Sequence, residues 1–181
     1  MYKRQGQHYD DEMSRVFFDE LGVPAPDHQL HAASGSNTAQ TARILAELEP
    51  VLVAARPELV IVYGDTNSTL AGALAAAQLR MPLAHVEAGM RSFDRSMPEE
   101  LNRVLVDHAS ELLLCPTETA IANLRREGLE GRAQLVGDVM ADVSLAFASV
   151  AEERSRARSS AVRSLTSRPA CARSTARCPR S

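Results

Sequence analysis

The 181-residue chain is long enough for one domain with a real core, and its 45% hydrophobic content is that of an ordinary globular protein. Its 4% aromatic content and absence of Trp argue against a surface that stacks nucleic-acid bases. The net charge of −3 hides a division: residues 1–153 hold 12 Lys and Arg against 23 Asp and Glu, for −11, while residues 154–181 hold 8 Arg and no acid, for +8.

Apolar runs and helical periods alternate along the chain. Asp10–Leu21 has helical spacing through Met13, Val16, Phe17 and Leu21, closed by Gly22-Val23-Pro24. His28–Ala32 reads as a short strand. Asn37 or Thr38 can cap a long helix with Ala42, Ile44, Leu45, Leu48 and Val51–Val53 on its inner face, and Pro57 lies beyond its end. Leu59–Tyr63 is a β-branched, buried strand, Thr66–Leu79 an Ala-rich helix and Pro82–Val86 the next strand. Pro98 takes the first position of a further helix, and Leu112–Cys115 forms another strand. The helix Ala120–Glu127 follows, ended by Gly128, then a strand at Gln134–Val136 and a helix from about Val139. This alternation predicts an α/β fold: a Rossmann-like, doubly wound parallel sheet with right-handed crossovers. Met1–Gln5 is too short and polar to supply a first strand. Beyond Glu153 the composition turns to Arg, Ser and Ala, which predicts a disordered or out-of-frame tail.

Of the three Cys, Cys115 lies in an apolar run and reads as a small buried hydrophobe, and the tail pair Cys171 and Cys178 fits neither a zinc site nor a disulfide framework. No signal peptide or membrane-length apolar run is visible, so a cytoplasmic setting is expected.

Chemistry concentrates between Val60 and Arg103. Gly64-Asp65-Thr66 ends a buried strand and opens a helix, where Asp65 is either a plain N-cap or a rim carboxylate. Glu87 ends the strand Leu83–Val86, and Ala88-Gly89 allows another chain or a ligand to come close. Carboxylates on the carboxyl rim of a parallel sheet are placed for acid and base work. Glu99 and Glu100 follow Pro98 in a first helical turn, where the helix dipole alone favours acids. Arg103, four residues after Glu99, can pair with it or hold a phosphate. His85 and His108 have no metal-site spacing and read as structural. Ser34-Gly35-Ser36 suits a phosphate or a simple cap equally.

At these residues the chain resembles the non-hydrolysing UDP-N-acetylglucosamine 2-epimerases. The matching strings are Gly6-Gln-His8-Tyr-Asp10, Ser34-Gly-Ser36 with Gln40-Thr41, Tyr63-Gly-Asp65-Thr66, His85-Val-Glu87-Ala-Gly-Met-Arg91, Pro98-Glu-Glu-Leu-Asn-Arg103, Pro116-Thr-Glu-Thr119 and Val136-Gly-Asp138-Val-Met-Ala-Asp142. Any one is weak; all seven in order are specific. The resemblance implies the N-terminal half of a two-domain fold of glycosyltransferase-B type, with the active site in the interdomain cleft. It implies interconversion of UDP-GlcNAc and UDP-ManNAc through C2 deprotonation and loss of UDP, with no metal or redox cofactor. Asp65, Glu87 and Glu99 are then the acid/base and orienting carboxylates. Arg103, Gln7, His8, Thr66, His85 and Arg91 are the implied substrate contacts. A homodimer is implied for the complete protein, with no specific nucleic-acid or membrane partner.

The organisation expected is a leader at 1–5, a partial N-terminal domain at 6–150 and an Arg/Ser-rich tail at 151–181. The family's Gly-Thr-Arg-Pro-Glu loop and its second domain, with a catalytic His in a Thr-x-His-Arg string, are not in this sequence, so the isolated chain is expected to be inactive. Three other readings share the architecture: a hydrolysing epimerase, a UDP-sugar glycosyltransferase that needs fewer carboxylates, and a non-catalytic nucleotide-sugar-binding remnant.

Overall fold

A computed structural model describes residues 3–4, 24–30 and 35–166, with side chains at 24–30 and 35–156. The helix expected at Asp10–Leu21, and the site residues Gln7 and His8, lie outside the described residues. The chain divides after Asp138 into two compact units.

In the first unit, β1 (Lys3–Arg4) pairs in parallel with β2 (His28–Gln29). This pairing is a sheet of its own, separate from the four-stranded one, so the polar dipeptide enters a ladder through its backbone without supplying that sheet's first strand. Of the expected strand His28–Ala32, His28–Gln29 form β2, Leu30 lies outside it, and residues 31–32 are not described.

Helix α1 (Asn37–Ala55) is capped one residue earlier than expected, by Ser36, whose hydroxyl accepts the Ala39 N–H at 3.3 Å. Asn37 is occupied elsewhere, its side-chain oxygen accepting from Asn67 at 3.1 Å. The helix ends at Arg56 in the left-handed region, just before Pro57. Ile44, Leu48 and Leu52 form its buried stripe at helical spacing.

Four parallel strands follow, β3 (Val60–Tyr63), β4 (Leu83–Val86), β5 (Leu112–Cys115) and β6 (Ala133–Leu135), adjacent in chain order. Between them run α2 (Asn67–Gln78), α3 (Pro98–Ala109) and α4 (Glu118–Arg126), the last followed by a 3₁₀ turn at Glu130–Arg132. The alternation predicted from β-branched runs and helical periods is therefore present. Register aligns Val62, His85, Leu113 and Ala133 across the sheet, side by side on one face. That face is covered. Val62 and Leu83 pack with Ala73 and Ala76 of α2 and Val106 of α3, and Leu113 and Cys115 pack with Ala120 and Leu124 of α4. The Ala-rich sequence of α2 lets it come close to both neighbours: Ala75 sits between Leu48 and Leu52 of α1.

The second unit contains α5 (Val139–Thr166). The composition predicted that order would stop near Arg154, but the helix continues through the Ser and Arg residues to Thr166. Ser and Arg are tolerated in helices, and Arg156 pairs with Glu152 one turn back at 3.6 Å. Among the described residues no helix is long and apolar enough to cross a membrane.

Candidate active site

The carboxyl ends of β3 and β4 lie side by side, since Tyr63 is in register with Val86. The two turns that leave them are therefore neighbours. In the first, Gly64 has φ +65°, a conformation that favours glycine. Thr66, not Asp65, caps α2. Its Oγ1 accepts the Thr69 N–H at 3.4 Å, and the Thr69 hydroxyl donates to the Tyr63 carbonyl at 2.5 Å. The plain-cap reading of Asp65 therefore fails, and Thr66, expected at the substrate, has a structural duty.

Released from capping, Asp65 is pinned from α3. The Arg103 guanidinium donates to Asp65 Oδ2 at 2.5 Å, and the Asn102 amide donates to the Asp65 carbonyl at 2.8 Å. Arg103 does not pair with Glu99 as its i+4 spacing suggested. It bridges Asp65 and Glu100, the latter at 3.2 Å. The Asp65 and Arg103 side chains keep 29% and 18% of their surface, so the pair sits at the rim, open to a ligand.

In the second turn Glu87 itself has φ +70°, a strained conformation for a residue with a Cβ and one that collects at functional sites. Its Oε2 lies 3.5 Å from where a Cβ on Gly64 would stand, so the Glu87 carboxylate leans over the turn that presents Asp65. Gly89, φ +78°, is pressed against α4: a Cβ there would come within 2.5 Å of the Ala120 carbonyl oxygen. The close approach read from Ala88-Gly89 is thus to the protein's own helix.

Beneath both turns is a buried polar cluster. His85 Nδ1 is 2.6 Å from Asp107 Oδ1, and its Nε2 is 2.8 Å from the Gly64 carbonyl. Asp107 Oδ2 accepts from the Gly89 N–H at 3.1 Å and pairs with Arg91 at 2.7 Å. Arg91 also grips Glu127 through two bonds of 2.8 and 2.7 Å, and the Asn123 amide donates to the Gly89 carbonyl at 3.0 Å. His85 and Arg91 were both expected at the substrate. Each side chain is 1% exposed and bonded to protein partners, so the structure places them under the rim instead. Burial works to lower the Arg91 pKa, but the hydrogen bonds to Glu127 and the charge of Asp107 outweigh it, and the guanidinium is raised above its ordinary range. Burial, helped by the Asp107 charge, pushes the Cys115 thiol up to about 11, which suits the inert buried residue expected.

The adjacent acids of α3 part company. Glu100 is buried and accepts the Ser92 N–H at 2.8 Å, the Ser92 hydroxyl at 3.0 Å and the Phe93 N–H at 3.2 Å, so it ties down the β4–α3 loop. Burial alone raises its carboxyl, but those donors and Arg103 reverse the sign and hold it below the ordinary carboxylate range. Glu99 is exposed in the first helical turn, and no described hydrogen bond or ion pair ties it to Asp65 or Glu87.

Sequence reasoning missed Asp107, Asn102, Glu100, Asn123 and Glu127. One signal was present. The inner face of α3 holds Glu100, Asn102, Val106 and Asp107, and polar residues at positions where helical period calls for core mark buried partners.

Fold and rim together define an α/β site with carboxylates at the carboxyl edge of a parallel sheet. The chain matches the family model for UDP-N-acetylglucosamine 2-epimerase over residues 4–171, and it belongs to that family. The match runs past residue 150, where sequence reading ended the resemblance. A Pseudomonas aeruginosa UDP-2,3-diacetamido-2,3-dideoxy-D-glucuronate 2-epimerase is 54% identical over 146 residues, covering 79% of this chain and 41% of its own length. A Methanocaldococcus jannaschii UDP-N-acetylglucosamine 2-epimerase is 48% identical, over 84% of this chain and 42% of the relative. The crystal structure of that organism's enzyme with UDP-GlcNAc and UDP superposes with a TM-score of 0.80, at 48% identity, over 85% of this chain and 43% of the other. A Neisseria meningitidis enzyme bound to UDP-GlcNAc gives 0.73 at 30% identity, over 83% of this chain and 42% of the other. The chain therefore spans about two fifths of the length of these relatives, and its parallel sheet is part of their glycosyltransferase-B-like fold.

Proposed function

We propose that this chain supplies the acid/base half of an active site that epimerises a UDP-linked 2-acetamido sugar at C2. A carboxylate removes the C2 proton, the C–H electron pair becomes the C1=C2 double bond, and the C1–O bond to UDP breaks. UDP then adds back at C1 while C2 takes a proton on its other face. The step needs a base and an acid near one carbon, which a rim carrying several carboxylates provides. Asp65 is oriented by its ion pair with Arg103, which suits it to fixing a sugar hydroxyl or amide. Glu87, over the Gly64 turn, is the stronger candidate for moving the C2 proton. Glu99, exposed in the first turn of α3, completes the trio if the sugar bridges to it.

The observation that carries this reading is the approach of the Glu87 carboxylate to Gly64, the residue just before Asp65, with Thr66 taking over the cap. The test uses the chain joined to the remaining three fifths of the family's length. Asp65→Asn, Glu87→Gln and Glu99→Gln are each expected to lower turnover about 10²-fold or more, and near-normal turnover in all three would exclude the site. The Pseudomonas relative's name gives a second sugar, a diacetamido glucuronate, so both UDP-sugars belong in the assay.

A further inference from the structure

We propose that His85 is a buried imidazolium with both ring N–H groups donating, a positioning residue that clamps the Gly64 carbonyl and so fixes where Asp65 meets Glu87.

The argument is an inventory of donors and acceptors. Nε2 faces the Gly64 carbonyl at 2.8 Å, and a carbonyl can only accept. Nδ1 faces Asp107 Oδ1 at 2.6 Å. A neutral imidazole has one N–H, so one of these two contacts would set lone pair against lone pair in a fully buried site. The remaining way to satisfy both is to leave the shared proton on Asp107. Asp107 Oδ2, however, receives the Gly89 N–H and the Arg91 guanidinium, both of which stabilise the carboxylate charge. The proton therefore belongs on nitrogen.

Charge counting agrees. The ring's buried partner is Asp107 of α3, and Arg91 of the β4–α3 loop divides its charge between Asp107 and Glu127, with Cys115 of β5 a neutral thiol. The Glu127 side chain is 25% exposed and also lies 4.0 Å from His108, so a cationic His85 completes the neutralisation of the fully buried Asp107. The geometry then gives the ring a task. Asp107 anchors the Glu87 side through the Gly89 N–H, and His85 carries the same anchor across to the Gly64 carbonyl. Glu87 Oε2 approaches that turn and Asp65 follows it. One buried carboxylate thus sets both carboxylate-bearing turns.

The positioning role rests on the proposed function of Asp65 and Glu87; the protonation state does not. The test is ¹⁵N NMR on the full 181-residue chain labelled at histidine, at pH 7. The His85 ring is identified as the one that persists in His8→Gln, His28→Gln, His31→Gln and His108→Gln. Both its nitrogens are expected to show directly bonded protons, and Nε2 a through-bond coupling to the Gly64 carbonyl carbon. The near-isosteric Asp107→Asn should convert the ring to a single N–H and shift the Gly64 carbonyl and Asp65 amide resonances. An unprotonated ring nitrogen in the parent chain at pH 7, or Gly64 and Asp65 resonances unmoved in Asp107→Asn, would overturn the inference. If both nitrogens are protonated while Asp65→Asn and Glu87→Gln leave turnover intact in the completed enzyme, the clamp stands and the proposed function fails.

Discussion

The turns after β3 and β4 present their carboxylates by different physics. The β3 turn is short and local: Gly64 reverses the chain, Thr66 caps α2 from three residues away, and Asp65 projects between them. The β4 turn opens a long connection to α3, and nothing local could hold Glu87 at a positive φ. The residues just after it are held from below, Gly89 by Asp107 of α3 and Asn123 of α4, and Arg91 by Asp107 and by Glu127 at the end of α4. A helix cap secures a residue inside one motif, whereas a residue on a long loop must borrow rigidity from side chains far along the chain.

The largest effect should come from the network under the β4 turn. Asp107→Ala strands the buried Arg91 and His85 groups and releases the Gly89 N–H, so a loss of about 3–5 kcal/mol is expected, read by denaturant unfolding. A loss under about 1 kcal/mol would show that the network adds little to holding the β4 turn. Gly89→Ala comes next, because the new methyl meets the Ala120 backbone while keeping a left-handed φ; about 2–3 kcal/mol is expected. Thr66→Ala breaks the other turn and should cost about 1 kcal/mol, the usual worth of a cap. Its effect should add to that of Asp107→Ala if the two turns are held independently. Because His85 bridges Asp107 to Gly64, coupling of about 0.5 kcal/mol or more is expected instead in a double-mutant cycle.

Much of this comparison could be read in the sequence, but unevenly. The β-branched run at Val60–Tyr63 and the Ala-rich stretch after it located the rim, and Gly64-Asp65 and Glu87 were placed at strand ends because that is where apolar runs stop. Which side chain caps a helix turned on a one-residue offset: Ser36 rather than Asn37, Thr66 rather than Asp65. The partners of Arg103 could not be found by helical spacing, because Asp65 comes from another element. The support cluster stayed hidden for a related reason. Polar residues are ordinarily assigned to solvent, and only the packing of α3 against α2 and β4 shows that Asp107 faces inward. Composition likewise misjudged the helix through Arg156, since helix propagation does not require apolar side chains.

The central claim is that the rim holding Asp65 and Glu87 moves a proton at C2 of a UDP-linked sugar. The most direct measurement follows that proton. The chain completed with the rest of the family's length is given UDP-GlcNAc in D₂O, and the product sugar is examined by NMR. Deuterium at C2 of the epimerised product, lost together with turnover in Glu87→Gln, is the predicted result. Epimerised product that keeps its original C2 proton would contradict the account.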